Sequence, residues 1–410
     1  MLRPPCRDVE LIAPIPERER VELIDALRGF ALLGVLFVNL HSLSLFGLLP
    51  KAEREALPTA GVDHWLGWFS DTFVSGTSIT LFSLLFGMGF AMQMQRGDSG
   101  IGTRIYVRRL LLLLLIGLLH AALWWGDILR YYAALGLLLI PLSRLSSKWL
   151  ATLGALTVIV LPLWLQTFLP GLLPKQIISS ESAALSLSAF SGNDWGAVFD
   201  ANLARDLRMR IAVWVLPTYV LGRLMIGAAL GRSGVLQQAA QHHHLWQRSF
   251  VVMSLLSVAI LLALAFRPAA DAWIALPWLD GQNGRWLTSL LRNAAPLCLG
   301  LAYLGGFVLL YLAPASRRFL RWLAPVGRMA LTNYLSQTLL SIAIFYGIGL
   351  GIGPRFGMLG ILFATLLIFA AQAVWSVRWL ERHQQGPMEA LWRRLTYGRR
   401  SSVVDRTSSA

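Results

Sequence analysis

Residues 107–139 read VRRLLLLLLIGLLHAALWWGDILRYYAALGLLL. Two apolar runs meet at a Gly126-Asp127 corner, and the first carries His120 with Trp124 and Trp125 behind it. The pattern predicts a helical hairpin inside a membrane with titratable groups at one end. A protonatable ring in hydrocarbon is costly, so it faces a water-filled cavity or a partner and is a functional candidate by default. His120 and Asp127 are seven positions apart. A continuous helix would place them on one face about 10 Å apart, and a turn at Gly126 changes that separation.

The same apolar character extends over the whole chain. Of 410 residues, 56% are hydrophobic and 14% charged, far below the roughly 25% charged content of soluble domains. Apolar segments recur at about the 20-residue length that a helix needs to cross the hydrocarbon, and strand alternation is absent. The expected fold is therefore all-α, a polytopic membrane bundle of about ten transmembrane helices. The net charge of +15 is placed asymmetrically, most of the 36 basic residues falling in connections on the side that holds both ends. By the positive-inside rule both termini are expected in the cytoplasm, and the charge needs no nucleic-acid partner. The partner implied is the lipid bilayer, and no oligomeric state follows. Cys6 and Cys298 lie in a polar tail and an apolar segment, so neither a disulfide nor a metal site is expected.

Three regions follow. Residues 1–22 form a charged cytoplasmic tail without a signal-peptide core, 23–380 the bundle, and 381–410 a basic amphipathic segment suited to the inner leaflet, followed by a disordered tail. Within the bundle, a long Ser- and Gly-rich loop outside the cytoplasm is expected at 170–210, weakly amphipathic from Trp195 to Leu207 and able to cover a cavity.

Several polar side chains stand in apolar segments. Asp25 and Arg28 are spaced i,i+3 and can pair, and Asn39 returns to the face of Arg28 deeper in the membrane. Asp127 suits an N-cap of the short helix after it as well as a site. Arg223 is the most deeply embedded cation, so it is expected to meet a carboxylate, water or an anion, or to snorkel. Asn333 and Gln337 are spaced i,i+4; with Tyr334 they either line a cavity or hold helices together. Gly87 and Gly89 suit close helix packing. The run His242–His244 reads as a solvated loop, and His64 as a rim residue.

Five stretches together resemble the YeiB-like family of bacterial inner-membrane proteins: DALRGFALLGVLFVN (25–39), LFSLLFGMGF (81–90), GLLHAALWWGDILRYYAALGLL (117–138), GRMALTNYLSQTLL (327–340) and QGPMEALWRRLTYG (385–398). The resemblance implies a multi-pass protein of the bacterial inner membrane, with the family's carboxy-terminal region at about 225–398. The family has carried a transport label and has been grouped with the transmembrane acyltransferase superfamily, whose enzymes are thought to use cytoplasmic acyl-CoA to acylate an acceptor on the opposite face. Asn39 resembles the asparagine of the glucosaminide acetyltransferase group, and His120 and Asp127 belong to the YeiB-like HxxxxxGDIL pattern. That group's active-site histidine follows its asparagine by a short loop; His64 is the nearest counterpart here, at a different spacing. Thr77 stands near where some family members carry a lysine.

Two functions fit these residues. A membrane acyltransferase would use His120 as general base, Asp127 to orient it and Asn39 to stabilise an oxyanion. Its cosubstrate would be acyl-CoA, its acceptor an envelope glycan or lipid, and no metal is implied. Asp25, Arg28, Tyr131, Arg223, Arg328, Asn333, Tyr334 and Gln337 are the expected substrate-binding side chains. A transporter or exporter of a small amphiphile would use the same polar groups to bind substrate or relay protons. The sequence lacks the internal duplication common in transporters.

Overall fold

The computed structural model describes residues 21–95, 101–169, 179–273 and 281–397, and among them every regular element is helical. The tail at 1–20 and the terminal segment from 398 lie outside the described residues. Six helices are long and apolar enough to cross a membrane. They are α1 (Glu22–Leu43), the continuous run of α3 (Ala60–Phe69) with α4 (Gly76–Gln95), α5 (Ile101–Leu123), α12 (His243–Trp273), α13 (Gly281–Leu312) and α17 (Met358–Leu380). A short α2 (Lys51–Glu55) precedes α3.

Two further crossings are bent pairs. α7 (Ser147–Ile159) meets α8 (Leu161–Phe168) at 41°, and α10 (Trp195–Ala212) meets α11 (Leu216–Ser233) at 73°. The count is thus six to eight, against the ten expected. The shortfall lies in α6 (Leu129–Leu142) and α16 (Ala330–Phe345), which exist but have only 14 and 16 residues, about 21 and 24 Å against about 30 Å of hydrocarbon.

The expected loop at 170–210 needs correction too. Residues 170–178 lie outside the described set, but the remainder folds as α9 (Ser180–Ser191) and α10. The Ser179 side chain accepts the Ser182 amide in a capping box, and Asp194 accepts the Gly196 amide at the start of α10. These side chains satisfy amides that a helix start leaves unpaired, so polar residues that suggest a loop here begin helices.

α1 is central, packing against α4, α15 (Leu323–Arg328), α16 and α17, and Leu27, Leu32, Leu36 and Leu40 are fully buried there. α4 and α11 run side by side at backbone contact. A Cβ on Gly87 would strike the Leu224 carbonyl, and one on Gly227 the Leu84 carbonyl. A π-helical turn at Ser70–Ser75 joins α3 to α4; such turns redirect side chains and recur at functional sites. α14 (Pro314–Leu320) leads from α13 toward α15, and α18 (Pro387–Tyr397) closes the described chain.

Candidate functional site

The Gly126-Asp127 corner is where the charged groups gather. α5 ends at Leu123, the chain turns through Trp124–Asp127, and α6 begins at Leu129. The break folds Asp127 back on His120, so their side chains meet at 2.8 Å (Oδ2 to Nδ1). A carboxylate only accepts, so the ring donates through Nδ1; in the neutral ring, Nε2 then accepts from the Thr338 hydroxyl at 2.9 Å. The other carboxylate oxygen of Asp127 accepts the Arg130 amide at 3.0 Å and its Nε–H at 3.1 Å. Asp127 therefore secures the first turn of α6 and neutralises a guanidinium at once.

From Arg130 the network reaches α10. Its two terminal nitrogens donate to Asp206 at 3.0 and 2.7 Å, a bidentate pair, and Arg210 Nε donates to Asp206 at 2.8 Å. Asn202, one turn before Asp206, accepts the Trp125 amide at 2.6 Å and donates to the carbonyls of Ala121 and Ala122 at 2.6 and 3.0 Å. Those carbonyls belong to the open carboxy end of α5, which lacks later amides to bond. Asp127, Arg130 and Asp206 are buried, so the two carboxylates and two guanidiniums must compensate one another.

This cluster faces one end of a cavity of about 590 Å³. The lining includes Asn39, Trp125, Asp127, Tyr131, Asp206 and Arg210 at that end and Asp25, Arg28, Arg109, Arg328, Glu389 and Trp392 at the other. Both Asp25 and Asn39 lie on α1, about 20 Å apart at 1.5 Å per residue. Between them the wall is apolar and aromatic, with Phe82, Phe86 and Leu113 among its members.

Of the expected site residues, Asp127, Asn39, Asp25, Arg28, Tyr131, Arg328 and Tyr334 line this space. The Asp25–Arg28 pair forms at 2.9 Å. Tyr334 stands with its ring 5.1 Å from that of His120 and accepts the Ile128 amide at 3.4 Å. His120 itself is not in the lining: it lies behind Asp127 and Tyr334, with both ring nitrogens engaged. The structure thus places His120 behind the wall, bonded to Asp127 and Thr338.

Two other expectations change. Asn333 and Gln337 are buried between α16 and α17: Asn333 donates to Ser376, and Gln337 to Gln372, which donates in turn to Ser336 and the Asn333 carbonyl. They join helices and leave the cavity wall to Tyr334. Arg223 is buried without a hydrogen bond or ion pair among the described residues; its guanidinium lies 5.7 Å from the Tyr219 ring centre, outside the cavity lining. His64 is exposed beside Trp65.

Sequence reading did not single out Arg130, Asn202, Asp206, Arg210 and Thr338. Asp127 and Arg130 share the i,i+3 spacing recognised in Asp25 and Arg28, and Asn202 and Asp206 are i,i+4 on the stretch noted as amphipathic. Those signals were present in one segment each; their union across three helices was not.

The other end of the cavity also differs from expectation. α18 does not lie free on a leaflet but packs against α5 and α16. Trp392 donates to the Arg109 carbonyl at 2.9 Å, and the Arg109 guanidinium lies 4.2 Å from the Trp392 ring centre. Glu389 accepts the amides of Leu331 and Thr332 at 2.7 and 3.1 Å, and the Thr332 hydroxyl at 2.5 Å. A residue 57 positions distant thus caps the first turn of α16.

The class of protein these features define is a multi-pass helical membrane protein enclosing a cavity with charged groups at both ends. Residues 230–399 match a family described as "Protein of unknown function (DUF418)". The chain is 33% identical to "Uncharacterized protein YeiB" of Escherichia coli (strain K12), over 95% of this chain and 100% of that protein. It is 29% identical to "Uncharacterized protein YxaH" of Bacillus subtilis (strain 168), over 94% of this chain and 96% of that one. A 39.9 kDa protein from the amylase 3' region of Bacillus acidopullulyticus is 28% identical over 95% of this chain and 98% of its own length. The chain belongs to the YeiB-like family. No solved structure matches it.

Proposed function

We propose that this protein resides in the bacterial inner membrane and transfers an acyl group from cytoplasmic acyl-CoA to an envelope glycan or lipid on the opposite face. The observation that carries the reading is the single cavity joining an arginine-bearing end to the His120–Asp127–Arg130 cluster, with an apolar wall between. Arg28, Arg109 and Arg328 suit the phosphates of the donor, since guanidinium groups pair with phosphate oxygens. The apolar wall suits the acyl chain, and the charged corner suits a polar acceptor.

In the reaction, the acceptor oxygen or nitrogen attacks the thioester carbonyl carbon. A C–O or C–N bond forms, the C–S bond breaks, and the proton lost by the acceptor ends on the departing thiol. Asp127 Oδ2 bonds His120 and keeps capacity for one further donor. Asp127 is the proton acceptor in this reading; its carboxylate is fully covered at rest, so the acceptor group must displace the side chains over it, while His120 and Arg130 hold it in place. Asn39, in the same wall, is a donor for the carbonyl oxygen as it gains charge.

Purified protein given acyl-CoA and an envelope extract should release free thiol only when acceptor is present. Asp127→Asn should lower that rate by about 10²- to 10⁴-fold, the usual contribution of a positioned acid or base. Thiol release unchanged in Asp127→Asn would end the mechanism; substrate flux in proteoliposomes without any covalent change would replace the enzyme with a carrier.

A further inference from the structure

The bend between α10 and α11 carries more than a change of direction. α11 runs beside α4, a crossing helix, and α10 departs from it by 73°. α10 therefore lies closer to the membrane plane than to its normal. Its buried side chains, Val198, Asn202 and Asp206, face the bundle. Trp195, Phe199, Leu203 and Leu207, each four residues after the last, form a large exposed apolar stripe on an adjacent face, Leu203 being 69% exposed. An in-plane helix with such a stripe seats it in the boundary between headgroups and acyl chains.

The cavity comes to the surface at this same place. Met209, Arg210, Val213 and Leu216 all belong to its lining and all lie at the bend. Val213 is exposed, so the opening adjoins the lipid-facing exterior. Arg210 is 41% exposed there; its Nε is held by Asp206, and its two terminal nitrogens have no partner among the described residues. A guanidinium with two free donors at headgroup depth fits a phosphate.

We propose that the α10–α11 bend is a lateral portal, through which a membrane lipid with a phosphate-bearing headgroup enters from the leaflet and places its phosphate on Arg210. The occupant is a lipid because the portal is continuous with the apolar exterior of the spanning helices. Its headgroup projects inward toward Asp206, Arg130 and Asp127, and a headgroup carrying a free hydroxyl or amine would present that group to Asp127. The portal rests on geometry alone; that the entering lipid is the acyl acceptor rests on the acyl-transfer reading.

The test uses full-length protein in nanodiscs doped with phosphatidylglycerol bearing a photoreactive acyl chain. After irradiation, the peptide holding residues 209–216 should be labelled severalfold more than those of α12, whose apolar window is only 6% buried and which reports ordinary boundary lipid. Unlabelled phosphatidylglycerol should compete the excess away and diacylglycerol, lacking phosphate, should not. Arg210→Gln should remove most of the excess, and Arg210→Lys should restore part of it. Labelling no greater than on α12, or equal competition by diacylglycerol, overturns the portal, and both are read on the unmodified protein, so an unstable variant does not decide the matter. Specific labelling without acyl transfer to phosphatidylglycerol keeps the portal and removes that lipid as acceptor.

Discussion

Arg130 is the residue on which the charged corner turns, because among the described residues it alone bonds both Asp127 and Asp206. Replacing it with Gln would leave Asp127 to His120 and Asp206 to Arg210 alone, and breaking a buried pair costs up to about 3–5 kcal/mol. Detergent-solubilised Arg130→Gln should accordingly unfold at a clearly lower temperature. The double variant Arg130→Met with Asp206→Leu, which removes both partners of one pair, should recover part of the loss. His120→Gln should weaken turnover less than Asp127→Asn, since His120 acts from behind the wall, and equal losses would restore His120 to direct contact. At this scale the sequence was informative where a charge interrupts an apolar run, as at His120, Asp127 and Asp25. It was silent on Thr338, whose hydroxyl is ordinary in a spanning helix until the fold brings it to His120 Nε2.

Among the elements, α10 and α18 were the least legible, since both are polar enough to pass for loop or surface and acquire their roles only through packing. α10 is held on the bundle largely by Asn202 and Asp206. Asn202→Ala should leave the Trp125 amide and the end of α5 unpaired and raise hydrogen exchange across residues 195–212 more than across α4. α18 is tied down through Glu389, and burial pushes that carboxyl above its ordinary value, with the hydrogen bonds from Thr332 and Leu331 partly offsetting the effect. The sign follows from linkage. A carboxyl that holds its proton more tightly when docked favours docking most below the free value of 4.5, and that contribution is lost as pH rises through the raised one. Exchange protection of residues 387–397, corrected for the intrinsic rate, should fall over that interval. Glu389→Gln should flatten the dependence.

For the molecule as a whole, hydropathy made the bundle legible, and the described helices give six to eight crossings by length, with α6 and α16 apolar but short. Their shortness has a physical origin in the turn that brings Asp127 to His120 and in the cap that Glu389 supplies. Orientation is a matter for labelling. In a background without Cys6 and Cys298, Asn193→Cys should react with an impermeant maleimide in intact spheroplasts, and Arg318→Cys only after permeabilisation. The reverse pattern would put the arginine-bearing end of the cavity outside and deny it a cytoplasmic donor.

The dependence of α16 on Glu389 also bears on how the protein is made. α18 follows every spanning helix in the chain, so a ribosome delivers the cap for α16 and one wall of the cavity after the membrane insertion of all the others. A nascent bundle already threaded through the bilayer therefore lacks that wall until α18, made after the spanning helices, docks onto α5 and α16.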